Sequence, residues 1–329
     1  MDTDGDMSGD APLSPFPVRL AVAHFGRSIN GLRVRNMISI EKLSRENIGE
    51  ADQYLSGREE TSQFLINNLK EHGPTLTTHP NSGNFKLVRI GEEVKGVFCL
   101  ARRGTLIVQT DGDFSEAILN SRLEEPMPLR GFIGEWGSTE PIWRRYQAAN
   151  LSYKPSYQSK ESLYSYDLRT GDENLRHDAR VRFLRKSDFE QWLAFSRDYM
   201  TEHSIPDDLT SEQKQSNFMT QIKNKTWWGL FDGPKMLSRT ALNTKGETVG
   251  QVGGVFTPKQ LRQKGYAKAT MFHMLKDCRD LHGHRKNILF TGEANTPAQK
   301  LYESMGYRQI GSFAMIVGPI ATNLTRFQD

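Results

Sequence analysis

The sequence lacks the features that mark several large classes of protein. It has only two cysteines in 329 residues, which argues against a disulfide-stabilised extracellular fold and favours a reducing compartment. No apolar run approaches the roughly 18 residues that a membrane-spanning helix needs. The N-terminus is acidic rather than basic, which argues against a secretory signal. We therefore predict a cytoplasmic protein without a membrane partner.

An excess of charge of one sign is also missing. The net charge is only +4, and the basic residues are scattered instead of forming the block that a nucleic-acid footprint requires. We therefore expect no nucleic-acid partner. His282 and His284, near Cys278, offer too few ligands for a zinc site, so no metal is predicted.

The order of predicted elements divides the chain. Residues 1–36 are predicted to be partly disordered, with a short strand within residues 16–22. Residues 37–168 and residues 181–329 then follow the same order of strands and helices, joined by a polar linker at residues 169–180. In the first of these segments we predict a helix that Pro141 begins. The repeated order predicts a duplicated α/β fold.

The most informative stretch covers residues 248–307. A strand at residues 248–257 is stopped by Pro258, because proline cannot donate to a sheet ladder. A glycine-containing turn follows, and then a helix with apolar residues on one face that ends near Gly283. The unpaired N–H groups and the helix dipole at the start of such a helix can hold a phosphate.

A second strand and helix follow, at residues 287–292 and from residue 296. We predict that Thr296 caps this helix, that Pro297 occupies its first position and that Gln299 completes a capping box. Gly306 is suited to the exit of the helix.

These two motifs resemble motifs A and B of the GNAT superfamily of acyl-CoA-dependent N-acyltransferases. The family's phosphate loop, [QR]-x-x-G-x-[GA], is matched by Arg262, Gly265 and Ala267. Its second motif is matched by Asn295, Ala298, Leu301, Tyr302 and Gly306. Residues 289–291 and 294–295 look most like the glycine N-acyltransferase branch. The resemblance implies tandem GNAT-like lobes, each a mixed, mostly antiparallel sheet flanked by helices.

The resemblance also implies an activity. It predicts direct transfer of an acetyl group from acetyl-CoA to the primary amine of a small molecule, such as an amino acid, by a monomer or homodimer. Acetylation of a protein N-terminus or lysine and a non-catalytic acyl-CoA-binding module remain open as alternatives. The implied cofactor-binding residues are Val255, Phe256, Thr257, Arg262, Gln263, Lys264, Gly265, Tyr266, Ala267, Asn295 and Ala298.

Acetyl transfer also needs a general acid and a general base, and the resemblance indicates only the acid. By resemblance, Tyr302 is the candidate general acid for the departing thiolate. The strand at residues 248–257 contains no carboxylate and no histidine, so Glu293, at the end of the next strand, becomes the first candidate base. Glu202, His203 and a water chain remain open as alternatives. Tyr199, Glu202 and His203 are candidates on the acceptor side.

The two halves differ at the phosphate loop. The first half has Asp111 and Asp113 where the second has Arg262 to Ala267. Carboxylates at a helix start suit the helix dipole but repel a pyrophosphate. We therefore predict that only the second half, residues 181–329, is catalytic and binds the cofactor.

Overall fold

A computed structural model describes residues 37–170, 175, 177–203, 205, 207 and 209–318 of the chain. The strand predicted within residues 16–22, and part of the predicted linker, lie outside these residues. Both halves of the described chain run in the same order: one strand, two helices, three strands, a helix, a strand, a helix and a last strand. The predicted repetition of elements is confirmed.

The elements of each half are short and regular. Those of the first half are β1 (Ile38–Lys42), α1 (Ile48–Ser56), α2 (Glu59–His72), β2 (Gly83–Ile90), β3 (Glu93–Ala101), β4 (Thr105–Thr110), α3 (Ser115–Ser121), β5 (Gly131–Glu135), α4 (Trp136–Ala149) and β6 (Tyr157–Asp167). Those of the second half are β7 (Val181–Phe183), α5 (Phe189–Glu202), α6 (Ser211–Lys223), β8 (Trp227–Asp232), β9 (Lys235–Lys245), β10 (Val249–Phe256), α7 (Tyr266–His282), β11 (Lys286–Gly292), α8 (Thr296–Met305) and β12 (Arg308–Val317).

All of these strands join one mixed sheet in the order β1-β2-β3-β4-β5-β12-β6-β11-β10-β9-β8-β7. The neighbouring pairs are antiparallel except β4 with β5 and β10 with β11. The fold class is therefore confirmed as a mostly antiparallel sheet flanked by helices, in two lobes. The last strands are exchanged: β12 pairs with β5 of the first half, and β6 pairs with β11 of the second. Residues of the first half are thereby brought beside the motifs of the second.

Glycines in left-handed conformation set both ends of α7. Gly265, with φ of 77°, precedes its first residue, and Gly283, with φ of 69°, follows its last. The N–H of Gly283 donates to the carbonyl of Arg279 at 3.2 Å, and that of His284 to the carbonyl of Cys278 at 3.0 Å, which satisfies carbonyls at the end of the helix. The predicted apolar face, including Met271, is buried.

Two predictions about helix starts are wrong. Helix α4 begins five residues before Pro141, because the carboxylate of Glu135 accepts hydrogen bonds from the N–H groups of Gly137 and Ser138, both at 2.8 Å. Proline therefore lies inside this helix. Helix α8 is capped by Asn295, whose side chain accepts from the N–H of Ala298 at 3.4 Å.

The predicted capping box of α8 is also absent. Gln299 lies on α8, but its side-chain nitrogen donates to the carbonyls of Gly292, at 3.2 Å, and Glu293, at 2.9 Å. Thr296 is the first residue of the helix and not its cap, so Pro297 occupies the second position instead of the predicted first. Gln299 therefore ties α8 to the end of β11, which fixes the angle between them.

Several residues with reactive or aromatic side chains serve packing. Cys99 and Cys278 are free and fully buried, and burial raises the pKa of each thiol. Trp228 is buried in the core.

None of the helices in the described part of the chain is long and apolar enough to cross a membrane. The described residues also contain no group of three or more His, Cys, Asp and Glu side chains that could hold a metal ion.

Candidate active site

The two parallel strands of the second half separate part-way along their length. β10 pairs with β11 only at residues 249–251, opposite residues 286–288. Beyond these pairs both strands line a cavity of about 1410 Å³. The cavity therefore opens inside the sheet, at the point where parallel pairing ends.

Most of the predicted cofactor-binding residues lie in the wall of this cavity. Those that line it are Val255, Phe256, Thr257, Arg262, Gln263, Gly265, Tyr266, Ala267, Asn295 and Ala298. Lys264 is exposed and is not among the lining residues. The sequence motifs thus lie along one continuous surface, from the start of α7 to the middle of α8.

The loop before α7 has the backbone geometry of an anion-binding turn. Gln263 has φ of 62° and Gly265 has φ of 77°, so two residues of the turn are left-handed. A Cβ at Gly265 would meet no atom within 4 Å, which leaves the backbone open on that side. The first N–H groups of α7 have no partner within a helix, and the dipole is positive there. This end of the cavity is suited to phosphate groups.

β10 is distorted beside the cavity. Its register against β9 shifts between Gly253 and Phe256, and Gly254 has φ of 60°. A Cβ at Gly254 would lie 2.6 Å from the ring of Trp227, so only glycine fits. Gly254 and Val255 are skipped in the β9–β10 register and line the cavity. Backbone groups near Val255 are thus available to a bound molecule.

Tyr302 lies on the cavity wall with Ala298 of the same helix and with Asn295, which caps that helix. It is 7% exposed, and burial is the main cause that raises its pKa. The phenol is therefore protonated at neutral pH and can donate a proton or a hydrogen bond. Its ring packs between Tyr164, at 6.2 Å, and Tyr307, at 5.9 Å between centroids, which holds its position.

The predicted acceptor-side residues line the same cavity. Tyr199, Glu202 and His203 come from the end of α5 and the residue after it. The rings of Tyr199 and His203 lie 4.5 Å apart. Glu202 is bound by Arg262 of the phosphate loop at 2.6 Å, which lowers the pKa of the carboxyl group. Glu202 is thereby a weaker base than a free carboxylate, and it joins the loop to α5.

Arg262 has a second partner that fixes the loop. Its Nε donates to the carbonyl of Thr257 at 2.9 Å. The guanidinium therefore spans the end of β10 and the end of α5. Sequence reasoning assigned Arg262 to the cofactor alone, whereas the structure gives it a bridging role as well.

A carboxylate that the sequence did not single out also lines the cavity. Glu161 of β6 is 5% exposed and is paired in register with Gly292 of β11. Its Oε1 accepts a hydrogen bond from the hydroxyl of Tyr157 at 2.9 Å. Burial is the main cause that raises the pKa of Tyr157, to about 12, so this hydroxyl remains a donor at neutral pH. Nothing in the local sequence marks Glu161, because its place depends on the exchange of β6.

Glu293, the candidate base from the sequence, is placed differently. It follows β11 but is not among the residues that line the cavity, and its side chain is half exposed. Lys160 binds its carboxylate at 3.1 Å. Two adjacent residues of β6 thus have different partners: Glu161 places its carboxylate in the cavity wall, and Lys160 binds Glu293.

The equivalent region of the first half is closed. β4 and β5 pair over residues 105–108 and 131–134. Beyond them Ser138 bridges the gap: its hydroxyl accepts from the N–H of Thr110 at 3.0 Å and donates to the carbonyl of Thr110 at 3.1 Å. Asp113 accepts from the N–H of Ser115 at the start of α3, at 2.9 Å. Side chains of the protein thus satisfy the backbone groups of Thr110 and the N–H of Ser115 in this region.

Comparison with known proteins agrees with the resemblance of the second half to GNAT acetyltransferases. Residues 189–307 match the model of the acetyltransferase (GNAT) family. This match supports placement of the segment in the GNAT acetyltransferase superfamily. An uncharacterized N-acetyltransferase of Bacillus subtilis, YsnE, is 29% identical over 91 residues, which cover 27% of this chain. The chain spans 60% of the length of that curated relative.

Solved structures extend the likeness of fold beyond residues 189–307. A Drosophila protein is 12% identical with a TM-score of 0.57, over 84% of this chain and 98% of the other. A GCN5-related N-acetyltransferase from Sphaerobacter thermophilus is 13% identical with a TM-score of 0.52, over 86% of this chain and 96% of the other. At such identities the likeness concerns the fold alone, and it covers both halves.

Proposed function

We propose that this protein transfers an acetyl group from acetyl-CoA directly to the primary amine of a small molecule. The observation that carries the proposal is the continuous cavity between β10 and β11. One end meets the left-handed turn at Gln263 and Gly265, and the wall includes Tyr302 and Glu161. A phosphate site, a proton donor and a carboxylate thus share one space.

The residues present fit acetyl-CoA. The N–H groups at the start of α7 would bind the pyrophosphate, and the open side of Gly265 admits its oxygens. The backbone at Gly254 and Val255, skipped by β9, would bind the pantetheine amides. When bound, acetyl-CoA supplies the activated acetyl thioester. In the first half Ser138 bridges the equivalent gap, and in this proposal that half frames the site of the second.

Protein side chains move the protons in this proposal. Glu161 accepts the proton that the attacking amine loses, and Tyr157 orients its carboxylate. Tyr302, kept protonated by burial, donates a proton to the departing sulfur. β10 contains no carboxylate that could act as the base. In this proposal the base comes instead from β6, which pairs with β11 on the side opposite to β10.

The experiment that tests this function has two parts. Binding of CoA is measured by calorimetry, and release of free thiol from acetyl-CoA is followed with a panel of primary amines. We expect binding of CoA and amine-dependent thiol release. Absence of CoA binding by the folded protein would refute the cofactor assignment. Binding without amine-dependent release would instead favour a non-catalytic acyl-CoA-binding module.

A further inference from the structure

A second pocket lies next to the candidate active site, under helices α5 and α6. Its volume is about 300 Å³, and it shares Tyr199, Asn243 and Gly254 with the large cavity. The two spaces are neighbours, because these residues of α5, β9 and β10 line both of them. A molecule that reaches the large cavity therefore lies beside an additional side pocket.

A buried arginine lines this side pocket. Arg239 of β9 is 2% exposed. Its Nη1 donates to the carbonyl of Trp192 at 3.1 Å and to the hydroxyl of Ser196 at 2.8 Å. Its guanidinium carbon lies 4.6 Å from the ring centre of Trp227 and 5.7 Å from that of Trp192. Two tryptophans and α5 thus hold the group in place.

The charge of Arg239 has no counter-ion among the described residues. Its Nε has no hydrogen-bond partner there, and both hydrogen bonds of the guanidinium are made by Nη1 to neutral oxygens. Two other arginines of the fold contrast with it, because each binds a carboxylate: Arg182 binds Asp188 at 2.7 Å, and Arg89 binds Glu50 at 2.8 Å. Burial lowers the pKa of Arg239 to about 9, so it is still charged at neutral pH.

The remaining charges around the side pocket do not neutralise Arg239. Its one acidic lining residue among the described positions is Asp207, which is bound by Lys214 at 2.7 Å. Arg197 adds another positive charge at the exposed edge. The lining residues that the structure describes are therefore net positive, with a desolvated, preoriented guanidinium among them.

An unpaired buried charge is costly for a fold unless something binds it. Packing between tryptophans explains the position of the Arg239 side chain, but Nε and Nη2 find no acceptor within the described part of the chain. A carboxylate is the acceptor that a guanidinium binds best, through two parallel hydrogen bonds. The side pocket is thus built for a carboxylate from outside the protein.

We propose that Arg239 binds the carboxylate of the acceptor, so that the acetylated substrate is an amino acid. This inference rests on the proposed function and names the substrate class of the same site. Tyr199 lines both spaces, Glu161 lines the large cavity and Arg239 lines the side pocket. The carboxylate thus enters the side pocket while the amine remains in the large cavity, on the side of Glu161.

The first test compares amines that differ only in a carboxylate. Glycine, β-alanine, 4-aminobutyrate and phenylalanine are measured against methylamine, ethylamine, propylamine and phenethylamine. We expect at least one acid to exceed its counterpart in kcat/KM by roughly 10-fold to 100-fold, which is the range of a charge-assisted hydrogen bond. Equal kcat/KM values within every pair would overturn the inference and leave the proposed function intact.

The second test changes the arginine. Arg239→Met should bring the ratio of kcat/KM between acid and amine close to one, and Arg239→Lys, which keeps the charge without the planar fork, should retain part of the preference. Arg144→Met, on the exposed surface of α4, is the matched control. CoA affinity and melting temperature establish that each variant is folded. An undiminished preference in folded Arg239→Met would overturn the inference.

A binding readout separates the two proposals. Calorimetric titration with the same acids is done with wild-type protein and Arg239→Lys in saturating CoA. If none of the amines is acetylated, the proposed function fails, and the titration still decides the carboxylate site. Tighter binding of the acid by wild type supports the site. No binding of any acid, or equal affinity in Arg239→Lys, contradicts it.

Discussion

Glu161 lies directly opposite Gly292, on the strand pair β6–β11 that joins the two halves of the chain. A Cβ at Gly292 would come within 4.0 Å of Oε2 of Glu161. The carboxylate of a first-half strand thus reaches the end of a second-half motif. The exchange of last strands is what makes the candidate site a product of both halves.

Glu161→Gln should reduce kcat by roughly 10²-fold to 10⁴-fold, the range for loss of a general base. The amide keeps the volume of the side chain but cannot accept the proton of the amine. Turnover should then rise with pH through the measured range, because only amine that is already neutral in solution can react. Steady-state kinetics between pH 6 and pH 10, with CoA affinity as a control, test this.

The comparison with Glu293→Gln makes the experiment sharper. Glu293 is held by Lys160 and does not line the cavity, so its loss should change kcat by less than about 3-fold, as for a surface substitution. A large loss in Glu293→Gln together with full activity in Glu161→Gln would return the role of base to Glu293.

Tyr302→Phe should lower kcat by roughly 10²-fold with little change in CoA affinity, since the ring is kept and only the proton donor is lost. The loss should shrink with thioesters whose thiols are more acidic, because such leaving groups need less protonation. Tyr164→Phe, which keeps the neighbouring ring but removes a hydroxyl bound to Glu303 at 3.1 Å, is the matched control. Equal effects in both variants would argue for a packing role.

The second half of the chain was more predictable from sequence than the first. Gly265 and Gly283 set the ends of α7 through their own backbone conformations, so local sequence was enough to place the phosphate loop. Local sequence also predicted the wrong start for α4. A proline favours the first helical position, but α4 begins earlier, where the carboxylate of Glu135 caps it. Here a side-chain hydrogen bond outweighed a backbone preference.

The base and the carboxylate pocket could not be predicted from local sequence. Glu161 lies in a polar strand end, and its importance depends on β6 pairing with β11 across more than a hundred residues. Arg239 occurs between Ser238 and Thr240 in β9, and only packing under α5 reveals that its charge is buried and has no counter-ion among the described residues. Both properties arise from contacts that are distant along the chain.

Gly265→Glu should abolish measurable CoA binding, because a carboxylate would stand where the pyrophosphate is expected. The substitution also strains the backbone, since φ is 77° at this position. Gly91→Glu controls for this strain: Gly91 has φ of 60° and equally open space around its Cβ, but lies in the turn between β2 and β3. Both variants should lose about 1 kcal/mol of stability. CoA binding retained in Gly265→Glu would contradict the phosphate loop.

His284 should make the fold sensitive to mild acid. It is 3% exposed, and burial is the main cause that lowers its pKa from 6.5 to about 4. His282, Lys245 and Glu59 face it, and the first two lower its pKa further. In the unfolded chain the imidazole binds a proton near pH 6.5, so between pH 6.5 and pH 4 the unfolded state holds more protons than the native state.

Stability should therefore fall as the pH decreases through this window, and the contribution of His284 to the loss should reach about 3 kcal/mol near pH 4. His284→Asn removes the titrating group, so its free energy of unfolding should depend less on pH, even if it is lower at pH 7. Urea unfolding of both proteins at several pH values between 7 and 4 gives the difference. Parallel curves for wild type and His284→Asn would show that the imidazole is already protonated in the native fold or does not control its acid stability.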